Sequence, residues 1–258
     1  MDIGSLLGIV SGLGLIFAGI TFLTKDFTMF WSVSSLAIVL GGSLAATLIA
    51  FPLKEVARVF KVIGVVFRKE KDEMRKLVVA IAEIANAARK GAAELEKVIG
   101  SAPNPFLRDG IQLIIDGYNE DDIRDILITR IQNREQREVD EANMLKTMGK
   151  FSPAFGMVGT LIGLVVMLYS MGSGTGEEMT KQLGVGMGAA IITTFYGTVM
   201  ANLFFNPMAA KIEMRIDKAT MLQKMIVEGV SLLYNRKHPM IVKERLNSYL
   251  PPRLWIKE

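Results

Sequence analysis

Hydrophobic positions gather into four unbroken blocks, roughly 3–23, 29–51, 153–171 and 183–206, and none of them holds an Asp, Glu, Lys or Arg. About 20 apolar residues let a helix cross a hydrocarbon core of roughly 30 Å. Only a helix or a closed barrel satisfies every backbone amide there. Elsewhere the pattern turns amphipathic. Leu77, Ile81, Ile84, Ala85 and Ala88 recur at helical spacing, with Lys76, Glu83 and Arg89 on other faces. Pro103-Asn104-Pro105 breaks the pattern, and a further helix is predicted over Phe106–Tyr118. Asn119 then reads as an N-cap, with Glu120, Asp121 and Asp122 in a first turn that favours negative charge. Ile123, Ile126, Leu127, Arg130, Ile131 and Arg134 carry the helix towards Met148. No proline interrupts before Pro153, so this helix is expected to run almost directly into the third block. The second block should continue through Val56, Val59, Phe60 and Ile63, kinked at Pro52, which lacks an amide.

Charge gives these helices an orientation. Basic residues number one in each of the short segments 24–28 and 172–182 (Lys25 and Lys181), eighteen in 52–152 and ten from 207 onward. Positive residues stay on the cytoplasmic side, so both large segments and both termini are expected inside. The fold class is therefore an all-α membrane protein: four transmembrane helices, long cytoplasmic helical extensions and a small helical cytoplasmic domain. Its expected parts are a hairpin of spans (1–51), a cytoplasmic insertion (52–152), a second span pair (153–206) and a helical cytoplasmic tail (207–258). Half of the 258 residues are hydrophobic and the mean hydropathy is +0.34, as a membrane class requires. The 3–23 block is expected to stay as a span rather than be cleaved as a signal peptide. Asp2 is the only charge before it, and no small-x-small cleavage site follows. Trp31, at the start of span two, fits an interfacial anchor at the outer face.

Candidate chemistry is sparse outside the spans. With no cysteine, disulfides and thiolate metal sites are excluded. The single histidine, His238, sits beside Pro239 in the polar tail and reads as a surface residue. No P-loop, GxSxG or Rossmann pattern is present, so no enzyme and no cofactor is expected. The basic blocks Arg68–Lys71 and Arg134–Arg137 read as solvated helix faces, and no aromatics interleave with them to suggest nucleic acid. No internal repeat stands out.

The spans carry the informative residues. Gly4, Gly8 and Gly12 line span one, and Gly41, Gly42, Ala45 and Ala46 line span two. Span three carries Gly156, Gly159, Thr160 and Gly163 on one face. Span four carries Gly186, Ala190, Thr193 or Thr194, Gly197 and Ala201. Small residues at this spacing let helices pack closely in lipid. Two readings fit Thr160, Thr193 and Thr194. Each hydroxyl can bond back to the carbonyl four residues earlier, or the three can line a hydrated path, prolonged by Asn202 and Asn206 towards the ends marked by Pro153 and Pro207. No span holds a carboxylate, yet ion coupling needs a charge in the membrane that binds and releases the ion. If ions pass, the titratable group must come from a partner helix.

The run Ser152-Pro153-Ala154-Phe155-Gly156-Met157-Val158-Gly159-Thr160-Leu161-Ile162-Gly163-Leu164 resembles the third span of the MotA/PomA stator family. Gly184–Gly197, with Thr193-Thr194-Phe195-Tyr196-Gly197 and the later Asn206-Pro207, resembles its fourth. The resemblance implies an ion-conducting stator subunit of the bacterial flagellar motor in the inner membrane. Its copies would form a ring, expected to be a pentamer, around a dimer of a MotB-like single-span peptidoglycan-binding protein that supplies the missing aspartate. It also implies that Pro153 and Pro207 couple ion flow to conformational change, and that the insertion pushes on the rotor protein FliG. Around Gly91 the matching charges are Arg89, Lys90, Glu94 and Glu96. A dehydrated sodium ion needs oxygen ligands, which Thr160, Thr193 and Thr194 offer, whereas a proton hops along water. Proton-type relatives often have alanine at the Thr160 position, so the transported ion is expected to be sodium rather than a proton. Two rival readings are a TolQ- or ExbB-like energiser of outer-membrane processes and a non-conducting scaffold. The first is opposed by the 3–23 and 29–51 hairpin, the second by hydroxyls flanked by prolines.

Overall fold

The computed structural model describes residues 3–66, 73–173 and 176–256, and the basic block Arg68–Lys71 lies outside the described residues. All regular structure among the described residues is helical. The α-helices are α1 (Ile3–Leu23), α2 (Val33–Leu36), α3 (Gly42–Ala50), α4 (Leu53–Val66), α5 (Met74–Lys90), α6 (Ala92–Val98), α7 (Pro105–Ile115), α8 (Glu120–Ser173), α9 (Glu177–Val199), α10 (Asn206–Tyr234) and α11 (Pro239–Asn247). Two compact units emerge, residues 1–69 with 139–213 and residues 70–138 with 214–258.

The first unit holds four stretches long and apolar enough to cross a membrane. Their large apolar side chains point outward: Leu15, Phe17, Ile49, Leu161, Val165 and Leu168 are all exposed. Water would penalise that arrangement, and a hydrocarbon surround does not. Buried instead are small and polar groups, among them Ser35, Ser43, Thr47, Ser152 and Thr193. Ser43 and Thr47 donate to the carbonyls four residues earlier, Val39 and Ser43, at 2.6 and 2.7 Å. Their hydroxyls are satisfied without water.

Span two is assembled from pieces. Asp26 caps a short 3₁₀ turn, Phe27–Phe30, and Ser32 caps α2. A wide π turn, Ala37–Gly41, joins α2 to α3. The expected kink at Pro52 is instead a complete break: Phe51 is extended (φ −134°, ψ 149°) and α4 is a separate helix. Proline clashes with a helical residue before it, so Phe51 leaves the helical region. Val56 and Val59 of α4 are buried, while the side chains of Phe60 and Ile63 lie outside the described residues. Beyond the apolar stretches Arg58 pairs with buried Glu141 at 2.5 Å, and Lys146 pairs with Glu213.

The second unit has its own core, with Leu77, Ile81, Leu107, Ile111, Leu127, Met225, Ile226, Leu233 and Leu246 fully buried. The 77, 81, 84, 85, 88 spacing faces it as a helical stripe should. Asn104 caps α7, accepting from the Phe106 amide at 2.9 Å. That helix ends at Ile115, short of the expected Tyr118, because Gly117 turns left-handed (φ +83°) and the Tyr118 amide closes onto Leu113. Asn119 accepts from the Asp122 amide at 2.8 Å and starts α8, whose 54 residues run through Pro153 without interruption. Glu120 accepts from the Ser231 hydroxyl and then Asn235, which holds its carboxyl below the ordinary range. Arg134 is not a solvated residue as its block suggested. It is half-buried, donating to Glu138 at 3.1 Å and to Thr220 at 2.9 Å. Its long stem covers apolar surface while the guanidinium finds fixed partners.

Candidate functional site: the span-three and span-four helix pair

Glycines bring the membrane parts of α8 and α9 together. A Cβ on Gly156 would meet the Thr193 carbonyl oxygen and the Thr194 Cα, both at 3.1 Å. On Gly159 it would strike the Thr193 side chain at 2.5 Å, and on Gly163 the Gly186 oxygen at 2.6 Å. On Gly197 it would meet the Ser152 oxygen at 2.5 Å and the Pro153 Cα at 3.1 Å. At Gly163 and Gly197 the neighbour is backbone at a distance no Cβ could occupy, while Gly156 and Gly159 fit tightly against Thr193 and Thr194. Gly42 receives the Phe155 ring, and Gly12 receives Leu203, so spans two and one dock on this pair. The Tyr196 hydroxyl donates to the Phe30 carbonyl and accepts from the Ser32 amide at 3.2 Å, fixing span four to the entry of span two.

The three predicted threonines divide. Thr193 is buried against Gly159, and its hydroxyl donates to the Ala189 and Ala190 carbonyls at 2.9 Å. Thr160 and Thr194 meet across the pair with their hydroxyl oxygens 2.7 Å apart. Thr160 Oγ1 also lies 3.1 Å from the carbonyl oxygens of Gly156 and Ala190, and Thr194 Oγ1 lies 3.4 and 3.5 Å from the same two. These four oxygens form one hydrogen-bonded cluster, with Thr194 exposed and Thr160 half-buried. A dehydrated cation needs such a set.

From Thr194 a polar line continues along span four. Thr198 donates to the Thr194 carbonyl at 2.9 Å, and Asn202 donates to the Thr198 carbonyl at 3.1 Å. All three side chains are exposed, as is Asn206. Thr198 escapes a reading built on the Thr-Thr pair, although its place four residues after Thr194 signals the shared face. Gly149, whose carbonyl loses its helical partner at Pro153, lies beside Asn206: a Cβ there would fall 2.2 Å from the Asn206 Oδ1. Pro207 follows a second wide π turn, Met200–Phe205, and is exposed. Pro153 therefore sits where α8 meets span four at Gly197, whereas Pro207 stands exposed at the start of α10.

In the second unit Gly91 (φ +116°, ψ 179°) turns the chain between α5 and α6. Arg89 and Lys90 close α5 and are exposed. Glu94 and Glu96 lie in α6. Glu96 is exposed, while Glu94 receives a 2.6 Å bond from Lys97 that holds its carboxyl below the usual range. His238 is exposed and caps α11 by accepting from the Met240 amide at 3.3 Å.

A helical bundle with outward apolar flanks and glycine-packed spans defines a multi-pass membrane protein. Residues 99–225 match the MotA/TolQ/ExbB proton channel family. Over 97% of its length the chain is 33% identical to the chemotaxis protein PomA of Vibrio alginolyticus, covering 96% of that protein. It is 32% identical to motility protein A of Borreliella burgdorferi, covering 98% of this chain and 95% of that one. Its fold matches the flagellar MotAB stator complex from Bacillus subtilis with a TM-score of 0.86, 27% identity and 96% coverage of both chains. A C. jejuni MotAB structure matches with a TM-score of 0.88 at 22% identity over all of both chains, a likeness of fold. The chain belongs to the MotA/PomA branch of the MotA/TolQ/ExbB proton channel family, a family of ion channels and not of enzymes.

Proposed function

We propose that this chain is the ion-conducting stator subunit of a flagellar motor, with sodium the transported ion. The observation that carries the reading is the four-oxygen cluster of Thr160, Thr194 and the Gly156 and Ala190 carbonyls, set in spans that contain no acid of their own. Oxygen ligands replace the water of a dehydrated sodium ion, and a carboxylate must complete and neutralise the site. A MotB-like partner helix supplies that aspartate against the exposed Thr194 face. Copies of this chain surround the partner dimer as a ring, which we take to be a pentamer. Both termini and the two large polar segments lie in the cytoplasm, following the Lys and Arg distribution.

In this mechanism the ion enters between the partner carboxylate and the oxygen cluster, then leaves along Thr198, Asn202 and Asn206. Thr193 packs the helix pair and does not ligate. Charging and discharging the carboxylate shifts the ring's packing around it. Pro153 and Pro207 transmit the shift where α8 touches Gly197 and where α10 begins. The 52–152 insertion carries it to the rotor protein FliG, with Arg89, Lys90, Glu94 and Glu96 as the contact charges about the Gly91 turn. Measuring swimming speed against sodium concentration tests the ion. Thr160→Ala is expected to weaken the sodium dependence, and no sodium dependence in the parent, or an unchanged one in the variant, defeats the sodium assignment.

A further inference from the structure

α1 packs closely on span four at Gly12, where a Cβ would come within 2.5 Å of Leu203. One turn earlier, at Gly8, nothing lies within 4 Å. The two helices therefore diverge towards the start of α1 and leave an open groove of about 250 Å³, lined by Gly8, Ile9, Leu203, Pro207 and Met208. Its floor is apolar. Its rim is not: Lys211 donates to the Ser5 hydroxyl across the mouth.

We infer that this groove is a binding site for an anionic phospholipid of the inner leaflet. The acyl chain occupies the cleft over Gly8, and the phosphate meets the Lys211 ammonium and the Ser5 hydroxyl. An apolar slot open to the bilayer admits a hydrocarbon chain. A cation and a hydroxyl at its rim, at the junction of span and polar segment, match a phosphate and select a negatively charged headgroup. A zwitterionic lipid gains no net Coulomb attraction from the same rim. The inference rests on the proposed orientation, which puts residues 5 and 211 at the cytoplasmic face. The occupant would lie against Pro207.

The chain, purified with its partner, is reconstituted in phosphatidylcholine vesicles containing phosphatidylglycerol, with a diazirine on the acyl chain of one or the other lipid. After illumination, labelled peptides are mapped. Phosphatidylglycerol is expected to label the peptides around Gly8–Ile9 and Leu203–Met208 about fivefold more than phosphatidylcholine, the weight of one lysine facing anionic lipid. Lys211→Gln should bring the two lipids level, Lys211→Arg should retain the preference, and Gly8→Leu should abolish labelling by filling the cleft. Equal labelling by both lipids in the parent, or a preference that survives Lys211→Gln, overturns the site. So does absence of labelling, as would follow if a second copy or the partner covers the groove. Orientation is read apart: Ser248→Cys should react with an impermeant maleimide only in inside-out vesicles. Reaction in right-side-out vesicles defeats the topology without bearing on whether the groove prefers the anion.

Discussion

A threonine in an apolar helix has two places to send its proton, its own helix or a neighbour, and adjacent residues here choose differently. Thr193 turns inward, back-bonds and packs against Gly159. Thr194, one position and about 100° further round the helix, reaches Thr160 on the other span. The sequence offered both hydroxyls on equal terms. Nothing in a Thr-Thr dipeptide says which member faces the neighbouring helix, because that depends on how the glycine contacts rotate the pair. The two positions therefore give a matched test. Thr194→Val should raise the sodium concentration needed for half-maximal swimming speed by up to about tenfold, the cost of one ligand to a charged group. Thr193→Val should leave that concentration unchanged, because the Ala189 and Ala190 carbonyls it releases already accept within the helix. A shift of the same size at Thr193 would place both hydroxyls on the path and contradict the division.

At the scale of elements, hydropathy and capping were the reliable guides. Asn119 was recognisable as the start of α8 because an amide before a run of acids has one good use, and α8 does run from it through Pro153. Less visible were the π turns at Ala37–Gly41 and Met200–Phe205, since the apolar pattern is uniform in lipid and leaves no periodicity to show a register shift. Pro52 breaks span two where its missing amide alone predicts only a kink, because the effect of proline on the preceding residue depends on whether neighbours hold the helix together. Gly91 is the clearest local constraint in the second unit. Its φ of +116° with ψ of 179° is a region other residues enter at a cost of roughly 1–3 kcal/mol. Gly91→Ala is expected to lower the melting temperature of the assembled complex and to redirect α6 relative to α5. If the charges flanking this turn contact the rotor, the same variant should lose torque while ion flux through activated complexes stays at the parental level. Parental torque with a lowered melting temperature would leave the turn a purely structural element.

For the molecule as a whole, what is missing carries as much weight as what is built. Four spans expose large apolar side chains, pack through glycine and bury hydroxyls, yet contain no Asp or Glu. The acids of α8 and α10 lie in their polar segments, and the ion pairs Arg58–Glu141 and Lys146–Glu213 stand outside the apolar stretches. A cation crossing the hydrocarbon core without a counter-charge faces a desolvation cost that neutral hydroxyls and carbonyls offset only in part. The chain by itself should therefore be an insulator, and conduction should appear only with a partner that inserts a carboxylate beside Thr160 and Thr194. Purified chain in sodium-loaded liposomes is expected to give no selective flux above protein-free vesicles. Adding the partner should produce the flux, and changing the partner's membrane aspartate to asparagine should abolish it. Sustained selective cation flux from the chain alone would mean that the oxygen cluster suffices. The division of labour between a hydroxyl-bearing ring and an acid-bearing core would then have to be abandoned.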